Sequence, residues 1–193
     1  MKVFDCFQYY DEDLLLEFRL NCLNKYVDNF VIVESCYTHS GEKRKLLFDI
    51  NKFKSFKKKI NYIISDQLPK NLFVIKKEDS FNQVNSKTIL NTIAREVLQR
   101  NKIFEGIKNA NPDDMIIISD LDEIPNLENA NFHKIKKKLI FFKQKFYHFR
   151  FNLKLDNSDW YGSKACRKKH LSSPQWLRNT KSKKYLFWRL DTL

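Results

Sequence analysis

The most constraining stretch of this chain is Met115-Ile116-Ile117-Ile118, four apolar residues that run into Ser119-Asp120-Leu121-Asp122-Glu123-Ile124-Pro125. A short apolar run bounded by polar residues reads as a strand buried on both faces. Pro125 cannot donate to a ladder, so regular pairing stops there. Three carboxylates thus fall within four positions at the carboxyl end of a buried strand, where open α/β sheets bind their ligands. Asp120 and Asp122 are two apart, so an extended backbone points both side chains the same way. Like charges that close repel, and a divalent cation relieves the repulsion. A bare Asp-x-Asp is equally the signature of an acidic turn after a strand, so its surroundings have to decide.

Those surroundings alternate. Val3 to Phe7 is a short apolar strand, and the acids Asp11, Glu12 and Asp13 suit a helix N-terminus. Leu16, Leu20, Leu23 and Val27 then recur at helical spacing. Phe30 to Val33 is a second buried strand, ending in Glu34-Ser35 and followed by the polar loop 37–42. Residues 53–59 read as a basic helix, 60–64 as a third strand and 67–85 as irregular. A long helix is expected from about Lys87 to Asn109, with Ile89, Ile93, Val97, Phe104 and Ile107 as its apolar stripe. Arg100 interrupts that stripe. A buried arginine is usually paired, and its forked donors also suit a phosphate. A short helix is expected near 129–136 and an alternating strand, containing His148, over 146–152; His148 itself reads as a core or surface residue. The last forty residues are basic and aromatic without a clear period. Strand, helix, strand, helix, strand, helix, strand is the order of an α/β fold: a mostly parallel sheet flanked by helices. With 193 residues and no linker or repeat, one domain over 1–193 is expected.

Net charge is +13, which admits nucleic acid, a membrane surface or an anionic substrate as partner. Runs such as Lys57-Lys58-Lys59 and Lys136-Lys137-Lys138 read as solvated faces, and peripheral contact with anionic lipid stays open. A nucleic-acid-binding module would interleave its aromatics with Lys and Arg on one exposed sheet face. Here most phenylalanines fall at core-like positions, so no nucleic acid is expected. No apolar stretch approaches the ~20 residues of a membrane span, and no signal peptide precedes the first acid, so the expected location is cytoplasmic. Cys6, Cys22, Cys36 and Cys166 lack zinc-site spacing and read as reduced, mostly buried thiols.

Several segments together carry a resemblance: Asp5-Cys6-Phe7; Leu14 to Leu23 with Arg19; Val27 to Ser35; Thr38-x-Ser40-Gly41; and Ser119 to Pro125. In this order they resemble glycosyltransferase family 17, which includes β-1,4-mannosyl-glycoprotein β-1,4-N-acetylglucosaminyltransferases. The resemblance implies a GT-A-like (Rossmann-like) fold, a UDP-sugar donor, a glycan or glycoconjugate acceptor, Mn²⁺ or Mg²⁺, and inverting transfer of N-acetylglucosamine. Glu34 then stands where related enzymes contact the nucleoside, and Arg100-Asn101 stands on the diphosphate side. The family also carries a Gly-Trp-His-Phe-like segment past this length. The expectation is therefore a donor-binding domain without that C-terminal segment, weak in transfer or a non-catalytic remnant. A haloacid dehalogenase-type phosphatase also ends a strand in Asp-x-Asp. It does so near the start of its chain, with a small Thr- or Val-like residue next, where this chain has Glu123-Ile124-Pro125.

Within this reading Asp122 is the expected direct metal ligand. Asp120 holds the ribose or a metal-bound water, and Glu123 completes the expected metal site from behind these two. Magnesium-type ions take one or two carboxylates and complete their shell with phosphate and water. Transfer with inversion also needs a base. Asp156 and Asp159 are the candidates, although Asp156-Asn157-Ser158-Asp159 also reads as a surface turn.

Overall fold

A computed structural model of the chain describes residues 1–147, 153–154 and 159–181. The sheet contains β1 (Val3–Tyr9), β2 (Asn29–Ser35), β3 (Ile60–Ser65), β4 (Met115–Ile118), β5 (Leu139–Phe141) and β6 (Lys164–Arg167), in the spatial order β3-β2-β1-β4-β6-β5. β1 pairs in parallel with β2 and β4, and β2 with β3. β6 runs antiparallel to both β4 and β5. A six-stranded, mostly parallel sheet flanked by helices is consistent with a GT-A-like fold.

The period of two along each strand divides the apolar residues between two cores. Val3, Phe7, Phe30, Ile32, Met115 and Ile117 face α1 (Asp13–Leu23), whose Leu16, Leu20 and Leu23 are buried against them. Phe4, Cys6, Val31, Val33, Ile116 and Ile118 face the opposite side. There they meet Ile103 and Ile107 around α3 (Ile103–Gly106), and Leu177 of α4 (Pro174–Asn179). β1 and β4 are neighbours although α1, β2, β3, α2 (Phe81–Asn101) and α3 intervene in sequence. The strand order therefore reverses beside β1, which is where such sheets open a crevice at their carboxyl edge.

Four sequence expectations need correction. The long helix, α2, spans Phe81–Asn101. It begins earlier than expected because Ser80 and Gln83 form a capping box, a start signal within the stretch read as irregular. It also ends earlier, and the break at Lys102 re-phases the chain so that Ile103 and Ile107 turn inward while Ile89 and Ile93 stay exposed. The 53–59 helix is a 3-10 helix over Ile50–Phe56 capped by Asp49. The helix expected near 129–136 does not form. The side chains of Asn126 and Asn131 accept from Glu128 N–H and Lys134 N–H, holding separate turns that compete with a helix. Cys6 and Cys166 are buried but Cys22 is exposed, and all four cysteines are free. The expected strand at 146–152 lies largely outside the described residues. Of its described part, Tyr147 makes an isolated antiparallel bridge to Lys154. The two lysine runs lie mostly exposed, as expected of solvated faces. No helix among the described residues is long and apolar enough to cross a membrane.

Candidate active site

The crevice beside β1 is a cleft of about 670 Å³, within the size range of small-molecule sites. The end of β1 supplies Gln8, Tyr9 and Tyr10, and the loop after β2 supplies Thr38, His39 and Ser40. α2 supplies Glu96, Gln99 and Arg100, and the turn after β4 supplies Asp120, Leu121 and Asp122. Two of these walls are tied together: Arg95 Nη1 and Thr92 Oγ1 of α2 both donate to His39 O. Gly41, at φ +99°, lets the loop lie against the Arg95 guanidinium, where a Cβ would come within 2.5 Å of Nη2.

The acidic turn is held from behind by Arg19, a fully buried arginine on α1. Its Nε and Nη2 grip the Asp5 carboxylate in a two-pronged pair at 2.8 and 2.7 Å. Nη1 donates to the carbonyls of Asp120, Leu121 and Glu123, and Nη2 to Ser119 Oγ. Arg19 thus converts a flexible turn into a fixed one. The sequence carried a signal for it, since Arg19 falls on the helical stripe of Leu16, Leu20 and Leu23, opposite an acid inside an apolar strand.

Each carboxylate of the turn has a different environment. Asp122 is exposed, lines the cleft and has no side-chain partner among the described residues. Asp120 is half-buried, with Oδ1 accepting from Arg100 Nη2 at 2.9 Å and Oδ2 from Arg178 Nη2 at 2.7 Å. Burial alone would raise its pKa, but bonds and charge from Arg178 and Arg100 outweigh this and hold it below the ordinary value. Glu123 is buried and its carboxylate is spent on the protein. Oε2 accepts from Asp120 N–H, while Oε1 accepts from Trp160 Nε1 and Arg178 Nη2. Burial pushes its pKa up. Gly162 packs on it so closely that a Cβ would lie 2.0 Å from Glu123 Oε1.

Arg100, marked in the sequence as the polar break in a stripe, is 3% exposed and reaches the cleft. Its Nη1 contacts Gln175 Oε1 and Glu96 Oε1 at 2.7 and 2.8 Å, and its Nε has no partner among the described residues. Glu34 is placed differently from its expectation. It is fully buried behind the cleft, where its two oxygens accept from Leu47 N–H, Phe48 N–H and Tyr62 OH and pair with Arg44. Arg44 in turn donates to Tyr10 O and stacks over the Tyr10 ring at 4.0 Å. Glu34 therefore shapes the cleft wall through Arg44 and Tyr10. Asp159 is exposed away from the cleft and pairs with Lys143 at 2.7 Å. Asp156 and His148 lie outside the described residues. Arg178, which reaches Asp120 and Glu123 of the acidic turn, sits in the stretch whose sequence showed no period.

The carboxylates of the turn would offer a divalent cation one free ligand, Asp122. Among the described residues no group of three or more His, Cys, Asp or Glu could hold a metal. One open carboxylate beside a second, hard-oxygen carboxylate suits an ion that takes its remaining ligands from phosphate and water.

A family model described as Glycosyltransferase family 17 matches residues 1–183. The chain is also similar to the Beta-1,4-mannosyl-glycoprotein 4-beta-N-acetylglucosaminyltransferases of Homo sapiens and Rattus norvegicus, each 30% identical over 125 residues. That stretch is 63% of this chain and 21% of each relative, so it spans about a fifth of their length.

Proposed function

Because the chain belongs to glycosyltransferase family 17, we propose that it uses this cleft to transfer a sugar from a UDP-sugar to a hydroxyl of a glycan or glycoconjugate, with Mn²⁺ or Mg²⁺ at Asp122. N-acetylglucosamine is the sugar by the relatives' names. The observation that carries the reading is Asp122: an unpartnered, exposed carboxylate on an otherwise locked turn, at the topological switch point. Bound there, the cation would supply Lewis acidity and a template for the departing diphosphate. The chain's own residues do the rest. Arg19 keeps the turn from moving as charge changes above it. Arg100 fixes Asp120 at the position proposed for the ribose or a metal-bound water, and presents a cation on the diphosphate side. Tyr9, Tyr10 and Leu15 give the cleft an apolar wall suited to a nucleoside. Preorganised donors of this kind stabilise a leaving anion without reorganising during the reaction.

Calorimetric titration with UDP tests the reading. UDP should bind the unaltered protein more tightly with Mn²⁺ than with EDTA, and Asp122→Asn should remove the difference while leaving the melting temperature nearly unchanged. Equal UDP affinity with and without metal would refute it.

A further inference from the structure

Asp120 and Asp122 are two residues apart, yet only one of them is open to a cation. Both oxygens of Asp120 already accept charge-assisted bonds, one from each of two arginines. A divalent ion at Asp120 would meet two guanidinium groups across a single carboxylate. Asp122 is left as the one unencumbered acid of the pair, and a single carboxylate holds such ions weakly without phosphate ligands.

The two arginines are not equally fixed. Arg100 is 3% exposed and is held by Glu96 and Gln175 besides Asp120. Arg178 is 19% exposed in its side chain, comes from the six-residue α4, and is held by Asp120 and Glu123. On departure of Arg178 both carboxylates keep hydrogen-bond donors: Glu123 loses its ion-pair partner but keeps Asp120 N–H and Trp160 Nε1, and Asp120 keeps Arg100. A diphosphate offers Arg178 a better partner than a shared carboxylate, because two phosphate oxygens match the guanidinium fork. Arg100 keeps one donor in reserve as well, since its buried Nε has no partner among the described residues.

We propose that Arg178 is an exchangeable guard of the acidic turn: it occupies Asp120 in the ligand-free protein and moves to the diphosphate of an arriving nucleotide, releasing Asp120. Metal and nucleotide then bind together rather than metal first. This rests on the reading of the cleft as a nucleoside-diphosphate site.

The test measures Mn²⁺ alone and UDP with Mn²⁺ on the full chain, using the electron paramagnetic resonance signal of free Mn²⁺ for the first and calorimetry for the second. Arg178→Met should bind Mn²⁺ alone about tenfold more tightly than the unaltered protein, and UDP with Mn²⁺ about tenfold more weakly, each the scale of one charge-assisted contact. Arg178→Gln removes the charge but keeps a donor, and should move both readouts the same way, which separates the effect from a packing defect. Unchanged or weaker Mn²⁺ binding in both variants overturns the exchange, while the cleft's assignment stands if UDP binding to the unaltered protein still needs Mn²⁺. An unaltered protein that binds no UDP overturns that assignment, and the exchange with it.

Discussion

Replacing Arg19 with methionine removes a cation from the inside of the protein and strands what it served. Asp5 is fully buried and its carboxylate is gripped by Arg19 Nε and Nη2. Removing one partner of a buried ion pair costs about 3–5 kcal/mol, because the other charge stays behind uncompensated. The carbonyls of Asp120, Leu121 and Glu123 lose a donor at the same time. For a domain of this size, a loss of about 3–5 kcal/mol lowers the melting temperature by roughly 6–20 °C. Thermal and urea denaturation read the stability, and calorimetry with UDP and Mn²⁺ reads the site. Adding Asp5→Leu should recover the part due to the stranded carboxylate, since an apolar replacement of a buried pair is often neutral. It should not recover ligand binding, because the turn still lacks its holder. An Arg19→Met protein melting within about 2 °C of the parent, or a double variant that regains both stability and binding, would refute the argument.

Further outcomes follow from other contacts. Gly41→Ala forces a side chain into φ +99° and against the Arg95 guanidinium; a loss of about 1–3 kcal/mol in urea denaturation is expected, with weaker UDP binding. Gly162→Ala drives a methyl group into Glu123, so UDP affinity should fall by more than the accompanying change in melting temperature suggests. Lys164 has its pKa lowered to about 8, first by burial and then by Arg178. An unfolded lysine keeps its proton to about 10.4, so from about pH 8 to 10 the unfolded chain binds more protons and stability rises with pH. The unfavourable contribution of charged Lys164 is therefore full below pH 8 and relieved above it, and Lys164→Met should flatten that rise in urea titrations at pH 7.5, 8.5 and 9.5.

Legibility from sequence followed the range of the forces involved. The strands Val3–Tyr9, Asn29–Ser35 and Met115–Ile118 were readable because burial on both faces writes a mostly apolar run, broken in the first by Asp5 and Gln8 and confined in the second to Phe30–Val33. Arg100 was readable because one helix face exposes a mismatch in its own period. The partners of Glu34 were not, because two of them are backbone N–H groups of Leu47 and Phe48, which carry no residue signature. The reach of Arg178 to Asp120 depends on β6 running antiparallel beside β4 and on the return of the chain through α4. Neither is encoded by a local period, and β5 and β6 are only three and four residues long.

The pairing of β1 with β4 has a consequence during synthesis. Val3 faces Met115 in the register, so on the ribosome β1 waits on the order of ten seconds for the strand that closes its second edge. An open strand edge is a template for pairing with the wrong chain, and an inward-pointing charge on such a strand discourages it. Asp5 is that charge. Its Arg19 partner emerges only fourteen residues later, while the carbonyls that complete the arginine's coordination arrive after β4. Until then the ion pair keeps the nascent edge unattractive to neighbouring chains, and the same arginine later locks the acidic turn when the correct strand docks.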